Sequence, residues 1–510
     1  MRSIATTVQV VICLAAFGAL GFAARAAADP TSIPAPRLDW RPCGDGSEFA
    51  CARARVPLDY RHPGRRTIEL SLKKRAATGP GRRIGTLFFN PGGPGGPGAQ
   101  SLSFFYPLLP RTARERFDVV SWDPRGVGDS TPVRCFDTAE EAIAWRAHIP
   151  TGVPVGSKER ALWIGEWAEL GRRCVARDPE LARYVSTNET ARDLDLLRQA
   201  VGDAQLTYYG VSYGTFLGAT YANLFPGRVR ALVLDGNVDP TKYVNNGDDA
   251  PPRLNTGQRF GADLGAGATL DQFIRHCGRA PIARCAFSAG TPAATRQKFD
   301  RLMSRLRDHA IGAWNYGRAA NTVATEIYFL GRWASIAETL QALWERRTPA
   351  SPPPFDGPPP YPGFEFEYAV VCSESPNPRR PALFQALEAF SYARAGDLGR
   401  WWAWDYEPCA TWPGRAARPY VGPWNRPTAS PILVVSPTFD PATPYQAAKA
   451  MVRALANARL LTLEGYGHTA LINHSSCIDR HVIRYLIRGT LPPVGATCTQ
   501  DSPPFAIPRS

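Results

Sequence analysis

The pentapeptide Gly210-Val211-Ser212-Tyr213-Gly214 sets a serine between two glycines. A serine hydroxyl is a weak nucleophile until a base takes its proton. A sharp strand-to-helix turn would lift that oxygen above a sheet, and glycines on either side let the neighbouring backbone come close. The strand-like run Leu206 to Tyr209 precedes the motif, and a helical pattern with the small Gly218 and Ala219 follows it. Such a serine needs an imidazole base and an acid to orient it, in the chain order Ser, Asp or Glu, His. Asp440 follows the apolar run Ile432 to Val435 and opens a Pro-bearing helix start. His468 follows the run Leu460 to Leu463. Asp235, at the end of the strand after the nucleophile, is the rival acid; His474 and His481 are the rival bases.

The stretch Asn90-Pro91-Gly92-Gly93-Pro94-Gly95-Gly96-Pro97-Gly98 contains a formal G-x-G-x-x-G. Pro94 and Pro97 lack the N–H donors that a pyrophosphate would need, which argues against a dinucleotide site. With Ser212 as nucleophile, the stretch instead reads as an oxyanion loop. The backbone N–H groups of Gly93 and Tyr213 would then hold the tetrahedral oxygen. No C-x-x-C pair and no H-E-x-x-H occur, so no metal set is expected and no cofactor is implied.

These residues need a scaffold. From about residue 55 to 240, strand-like runs alternate with helical ones: Thr67 to Leu72, Gly85 to Asn90, Phe117 to Trp122, Leu206 to Tyr209 and Val229 to Leu234 for strands. That rhythm predicts an α/β fold, a mostly parallel sheet with helices on both faces. From 241 to 425 the chain turns helical and Trp-rich, with a Pro-rich stretch from Pro349 to Pro362. This segment is expected to be an inserted, mainly helical cap. The strand–helix rhythm resumes from 426 to 510 with the acid and the histidine. The core therefore divides into 29–240 and 426–510.

At 44% hydrophobic and 20% charged residues, the 510-residue chain is neither disordered nor a multi-span membrane protein. Its net charge of +14 is nearly all arginine, scattered along the chain, so no nucleic-acid partner is expected. The positive charge would suit peripheral association with the cell envelope. Residues 1–28 read as a signal peptide: Arg2, an apolar run from Val8 to Ala24, and cleavage after Ala28. Secretion is the expected location, with an uncleaved anchor as the alternative. Removing Cys13 with that segment leaves ten cysteines, an even number that suits disulfides in an exported chain. Connectivity does not follow from sequence. Nearest-neighbour pairing would join Cys43–Cys51, Cys135–Cys174, Cys277–Cys285, Cys372–Cys409 and Cys477–Cys498.

Several phrases together resemble a known family. They are Pro91-Gly92-Gly93-Pro94-Gly95, Trp122-Asp123-Pro124-Arg125-Gly126-Val127-Gly128-Asp129-Ser130, Thr207 to Thr215, Val233-Leu234-Asp235-Gly236 and Asp440-Pro441-x-Thr443-Pro444. The chain is similar to secreted tripeptidyl aminopeptidases of actinobacteria, which have the α/β-hydrolase fold, lie close to proline iminopeptidases and include mycobacterial members labelled carboxylesterases. The resemblance implies a serine exopeptidase that releases short peptides from free N-termini of peptide or protein substrates. It casts Ser212 as nucleophile, His468 as base, Asp440 as acid, and Gly93 with Tyr213 as oxyanion hole. A carboxylesterase or lipase-like hydrolase is the alternative. An aminopeptidase must also hold a substrate ammonium, which calls for a carboxylate. Glu374 is the first candidate and Glu367 the second, with Glu365 in the same run; Trp401, Trp402 and Trp404 are expected mainly to pack.

Overall fold

The computed structural model describes residues 33–349 and 361–506. The expected signal peptide and most of the Pro-rich stretch lie outside those residues. Ten strands form one sheet in the order β1-β2-β3-β5-β4-β6-β7-β8-β9-β10. They are β1 (Arg41–Pro42), β2 (Ala50–Pro57), β3 (Thr67–Arg75), β4 (Gly85–Asn90), β5 (Phe117–Trp122), β6 (Leu206–Val211), β7 (Val229–Asp235), β8 (Ile432–Phe439), β9 (Ala458–Tyr466) and β10 (Thr497–Thr499). From β5 to β10 every pairing is parallel; β1, β2 and β3 pair antiparallel at one edge.

The central strands are short apolar runs because helices cover both of their faces. Alternate residues serve opposite sides. Leu87, Phe89, Val119, Tyr209, Val211, Val233, Leu433 and Val435 share one core with Leu102, Ala113, Ile478, Val482 and Tyr485 from helices on that face. Each such Val, Leu, Ile or Phe side chain, fully buried, contributes roughly 1.5–3 kcal/mol of transfer free energy. On the opposite face the helix Tyr213–Leu224 packs on β6 and β7, and Thr187–Ala200 packs on it in turn.

Between β7 and β8 the described residues add no strand to the sheet. Residues 240–349 and 361–405 instead form a series of helices. The helix Ala262–Arg279 packs along Phe384–Asp405, which breaks its helical backbone at Gly396. The helix Glu365–Glu374 is joined to the segment after Asp405 by the Cys372–Cys409 disulfide. The other four disulfides are Cys43–Cys51, Cys135–Cys174, Cys277–Cys285 and Cys477–Cys498, so neighbouring cysteines pair throughout the described residues. Among the described residues no helix is long and apolar enough to cross a membrane.

Candidate active site

Parallel strands raise all their C-terminal ends to one edge of the sheet, and β6, β7, β8 and β9 are consecutive neighbours. Register aligns Val211 with Asp235, Asp235 with Val435, and Phe439 with Tyr466. Ser212 therefore leaves β6 beside the end of β7. Its N–H donates to Asp235 O at 2.9 Å. Its backbone sits at φ 57°, ψ −129°, a strained position for a residue with a side chain. The turn is tight: a Cβ on Gly210 would lie 2.4 Å from Gly214 O. Tyr213 is the first helical residue, so its N–H has no acceptor within the helix.

Asp440 follows β8 and is buried. Its carboxylate accepts from Ala442 N (2.9 Å), Thr443 N (2.8 Å), Thr443 Oγ1 (3.0 Å) and Thr469 N (3.1 Å). His468 Nδ1 lies 2.9 and 3.0 Å from its two oxygens. Nδ1–H donating to the carboxylate leaves Nε2 as the basic nitrogen. The histidine is held elsewhere too. His468 N donates to Tyr328 O at 2.8 Å, and the Tyr328 ring meets the imidazole edge-on at 4.9 Å. Asn473 Nδ2 donates to His468 O, Thr469 O and Tyr328 O.

The rivals have other tasks. Asp235 makes no bond to His468; it accepts from Ala470 N and Leu471 N, both at 2.8 Å, and from Tyr209 OH. It thereby anchors the segment just after the histidine. Burial pushes its pKa up to about 6. His474 is exposed and pairs with Asp479 and Asp501, and His481 sits within the helix Ser476–Arg488.

The glycine-rich loop joins the serine to the helical insertion. A Cβ on Gly92 would lie 2.8 Å from Ser212 Cβ and 3.1 Å from Tyr213 N; one on Gly95 would lie 2.5 Å from Glu367 N. Gly93 lies between these two contacts, with φ at 111°. Asp123 fixes the loop from behind, accepting from Ala99 N (2.8 Å) and Asp129 N (2.9 Å). Arg125 of the same motif is fully buried, bidentate to Asp193 at 2.7 Å, and serves structure.

A cavity of about 390 Å³ opens on this loop. Gly93, Pro94, Gly95 and Gly96 form one wall, and Trp163, Trp167, Trp401, Tyr368 and Phe364 form others. Two carboxylates line it, Glu367 and Asp405. Burial pushes both pKa values up, that of Asp405 to about 7, and the charge of Asp405 adds to the shift of Glu367. Neither carboxylate has a hydrogen-bond or ion-pair partner among the described residues. Tyr328 feels both groups of acids: after burial, the charges of Asp405, Asp440 and Glu367 raise its pKa.

The amine candidates thus divide. Glu367 lines the cavity. Glu374, expected to be the first choice, does not; its oxygens accept from Thr187 N (2.7 Å), Thr187 Oγ1 (2.6 Å) and Tyr243 OH (3.0 Å). Thr187 Oγ1 also bonds Tyr213 OH, so Glu374 braces the residue after the serine. Glu365 accepts from Cys135 N. Asp405 went unsuspected in the sequence, where it sits in a Trp-rich run with no motif around it. Trp401 lines the cavity, whereas Trp402 and Trp404 pack, the latter donating to Glu388.

Known proteins similar to this chain are α/β hydrolases. Residues 85–281 match the family described as alpha/beta hydrolase fold, and 395–498 the family described as TAP-like protein. The serine protease Hip1 of Mycobacterium tuberculosis is 30% identical, over 90% of this chain and 91% of its own. Carboxylesterase B of the same species is 31% identical, covering 91% of each chain. The tripeptidyl aminopeptidase of Streptomyces lividans is 29% identical, over 92% of this chain and 88% of its own. Among solved structures, proline iminopeptidase from Mycobacterium smegmatis aligns with a TM-score of 0.40 at 15% identity, over 85% of this chain and 97% of that one.

Proposed function

This chain belongs to the tripeptidyl-aminopeptidase-like family of α/β hydrolases, and on that premise we propose that it is an exported serine exopeptidase releasing short peptides from free N-termini. The observation that carries the peptidase reading is the acid pair Glu367 and Asp405, partnerless in a cavity that begins at the glycine loop. Two neighbouring carboxyls with no cation paired to them hold at least one proton near neutral pH. A substrate ammonium supplies the missing charge and lets both ionise.

In this reading Ser212 Oγ attacks the scissile carbonyl carbon while His468 Nε2 takes its proton. Asp440 keeps the proton on Nδ1 and stabilises the imidazolium. The oxyanion accepts from the N–H groups of Tyr213 and Gly93. The C–N bond breaks, the leaving amine takes the proton from His468, and the peptide stays as an ester on Ser212. Water, deprotonated by His468, then attacks the ester, and collapse returns the proton to Ser212 Oγ and frees the peptide acid. The five disulfides support a site of action outside the cytoplasm.

The relative named carboxylesterase B supports a second reading, ester hydrolysis with the same machinery. That reading leaves the acid pair without a ligand. The deciding experiment sets a free-amine tripeptide p-nitroanilide against its N-acetylated twin and a p-nitrophenyl ester, each with a Ser212→Ala control. Turnover confined to the free-amine peptide supports the exopeptidase; ester turnover with neither peptide cleaved leaves an esterase.

A further inference from the structure

The cavity that holds the acid pair also holds a cation. Arg146, in the last turn of the helix Ala139–Ala147, lines it together with Glu367 and Asp405. Yet no ion pair joins Arg146 to any carboxylate among the described residues. Its one described hydrogen bond runs from Nη1 to Ile149 O at 3.2 Å. Two other half-buried arginines without a carboxylate are met by several carbonyls. Arg259 donates to the carbonyls of Lys242, Leu254, Pro376 and Tyr243; Arg379 donates to those of Cys409 and Trp412. Arg146 has no such shell, and burial pulls its pKa down. Nor does it neutralise the acids, whose shifts come from burial and, for Glu367, from Asp405. The cavity is therefore bipolar, with two carboxyls at one place and an unpaired guanidinium at another, among the apolar walls of Trp163 and Trp167. A guanidinium fork binds a carboxylate through two parallel hydrogen bonds, and a dry wall strengthens them.

We infer that Arg146 is a specificity-determining residue that selects substrates carrying an acidic side chain, Asp or Glu, within the short peptide released. The inference rests on the exopeptidase reading, because the acid pair must take the free amine for Arg146 to read a second group. A peptide with both a free ammonium and a carboxylate completes both poles. Its Gln counterpart leaves the guanidinium unpaired.

The test uses free-amine tripeptide p-nitroanilides with Glu or Gln at the first, second or third position, on the full-length chain. Wild type should prefer Glu over Gln at one position by roughly 10- to 100-fold in kcat/KM, carried mainly by KM. Arg146→Gln should reduce that preference to about twofold or less, and Arg146→Lys should keep part of it. Arg146→Glu should turn the preference toward Lys at the same position, a gain that misfolding cannot produce. Free-amine peptides cleaved with no preference for Glu at any position would overturn the inference and leave the exopeptidase standing. So would a preference that survives Arg146→Gln. If no free-amine peptide is cleaved while the ester is, the exopeptidase reading falls and the inference falls with it.

Discussion

Asp440 at the strand ends and the pair Glu367–Asp405 in the cavity are all carboxylates, but the chain treats them in opposite ways. Asp440 accepts from two loop N–H groups, a threonine hydroxyl, the Thr469 N–H and an imidazole. Its charge is paired before any substrate arrives. Glu367 and Asp405 face the cavity with no described partner, and burial pushes them toward neutrality. A saturated carboxylate holds geometry; an unsaturated one lining a cavity is open to a ligand. On the proposed reading, the strand ends of the sheet present the finished half of the site, and the helical insertion presents half of an ion-pair network.

The sharpest break between the halves is chemical. Ser212→Ala should lower turnover of peptides and esters alike by roughly 10⁴-fold or more, measured with active-site-titrated enzyme. Asp440→Asn should lower both by a similar order, because the imidazole loses its oriented tautomer. An effect on peptides only, from either change, would contradict a shared acyl-transfer site.

The pocket half should behave differently. Glu367→Gln or Asp405→Asn should weaken kcat/KM for free-amine peptides by about 100-fold, mainly through KM, with ester turnover within about twofold. The pH dependence sharpens the contrast. Asp405 titrates near 7 in the empty pocket, and binding an ammonium requires the ionised form. KM for free-amine peptides should therefore fall as pH rises through about 7. It should rise again above about 8, where the peptide amine loses its proton. The N-acetylated peptide and the ester should show neither limb.

The same contrast governs what was legible in the sequence. The strand-end half announces itself locally. Gly85 to Asn90 and Phe117 to Trp122 are apolar runs cut off by Pro-Gly or Asp-Pro signals, and the strands occupy those residues. Ser212, Asp440 and His468 each follow such a run, and the parallel order puts all three at one edge of the sheet. β2 escaped notice because Ala50–Pro57 alternates small alanines with arginines, a weak apolar signal at a sheet edge. The 22-residue helix Gly156–Arg177 went unread as well, although it supplies Trp163 and Trp167 to the cavity. Glu374 misled for a geometric reason. It lies seven residues after Glu367, two helical turns or about 10 Å along one face. That face meets the glycine loop at one end and Thr187 with Tyr213 at the other. Spacing places both glutamates on the stripe but does not say which end meets a cavity.

Asp235 tests how far the finished half depends on its supports. It touches no reacting atom, yet it holds Ala470 N and Leu471 N, directly after the His468–Thr469 segment. Asp235→Asn turns one acceptor into a donor facing an N–H, a mismatch worth about 1–3 kcal/mol. The expected result is a kcat roughly tenfold lower on peptide and ester alike with KM little changed. A change confined to KM for free-amine peptides would instead place Asp235 with the pocket acids.

The smallest effect concerns stability and reaches behind the cavity. Glu407 is fully buried near Trp163, with both carboxyl oxygens lacking a hydrogen-bond partner in the described structure. Burial holds its proton on up to about pH 8, against an ordinary value of 4.5. Between those values the folded chain binds more protons than the unfolded one, so stability falls as pH rises. Asp405 and Glu374, each pushed to about 7, act in the same direction over the lower part of that window. The melting temperature should therefore decline from pH 5 to pH 8. Glu407→Gln removes one titrating group and should flatten the decline, gaining on wild type by about 1 kcal/mol per pH unit within the window. Saturating free-amine peptide on Ser212→Ala should flatten it too, because an ammonium relieves the pair at Asp405. Equal slopes with and without that peptide would mean that the acids of the pocket and the amine never meet.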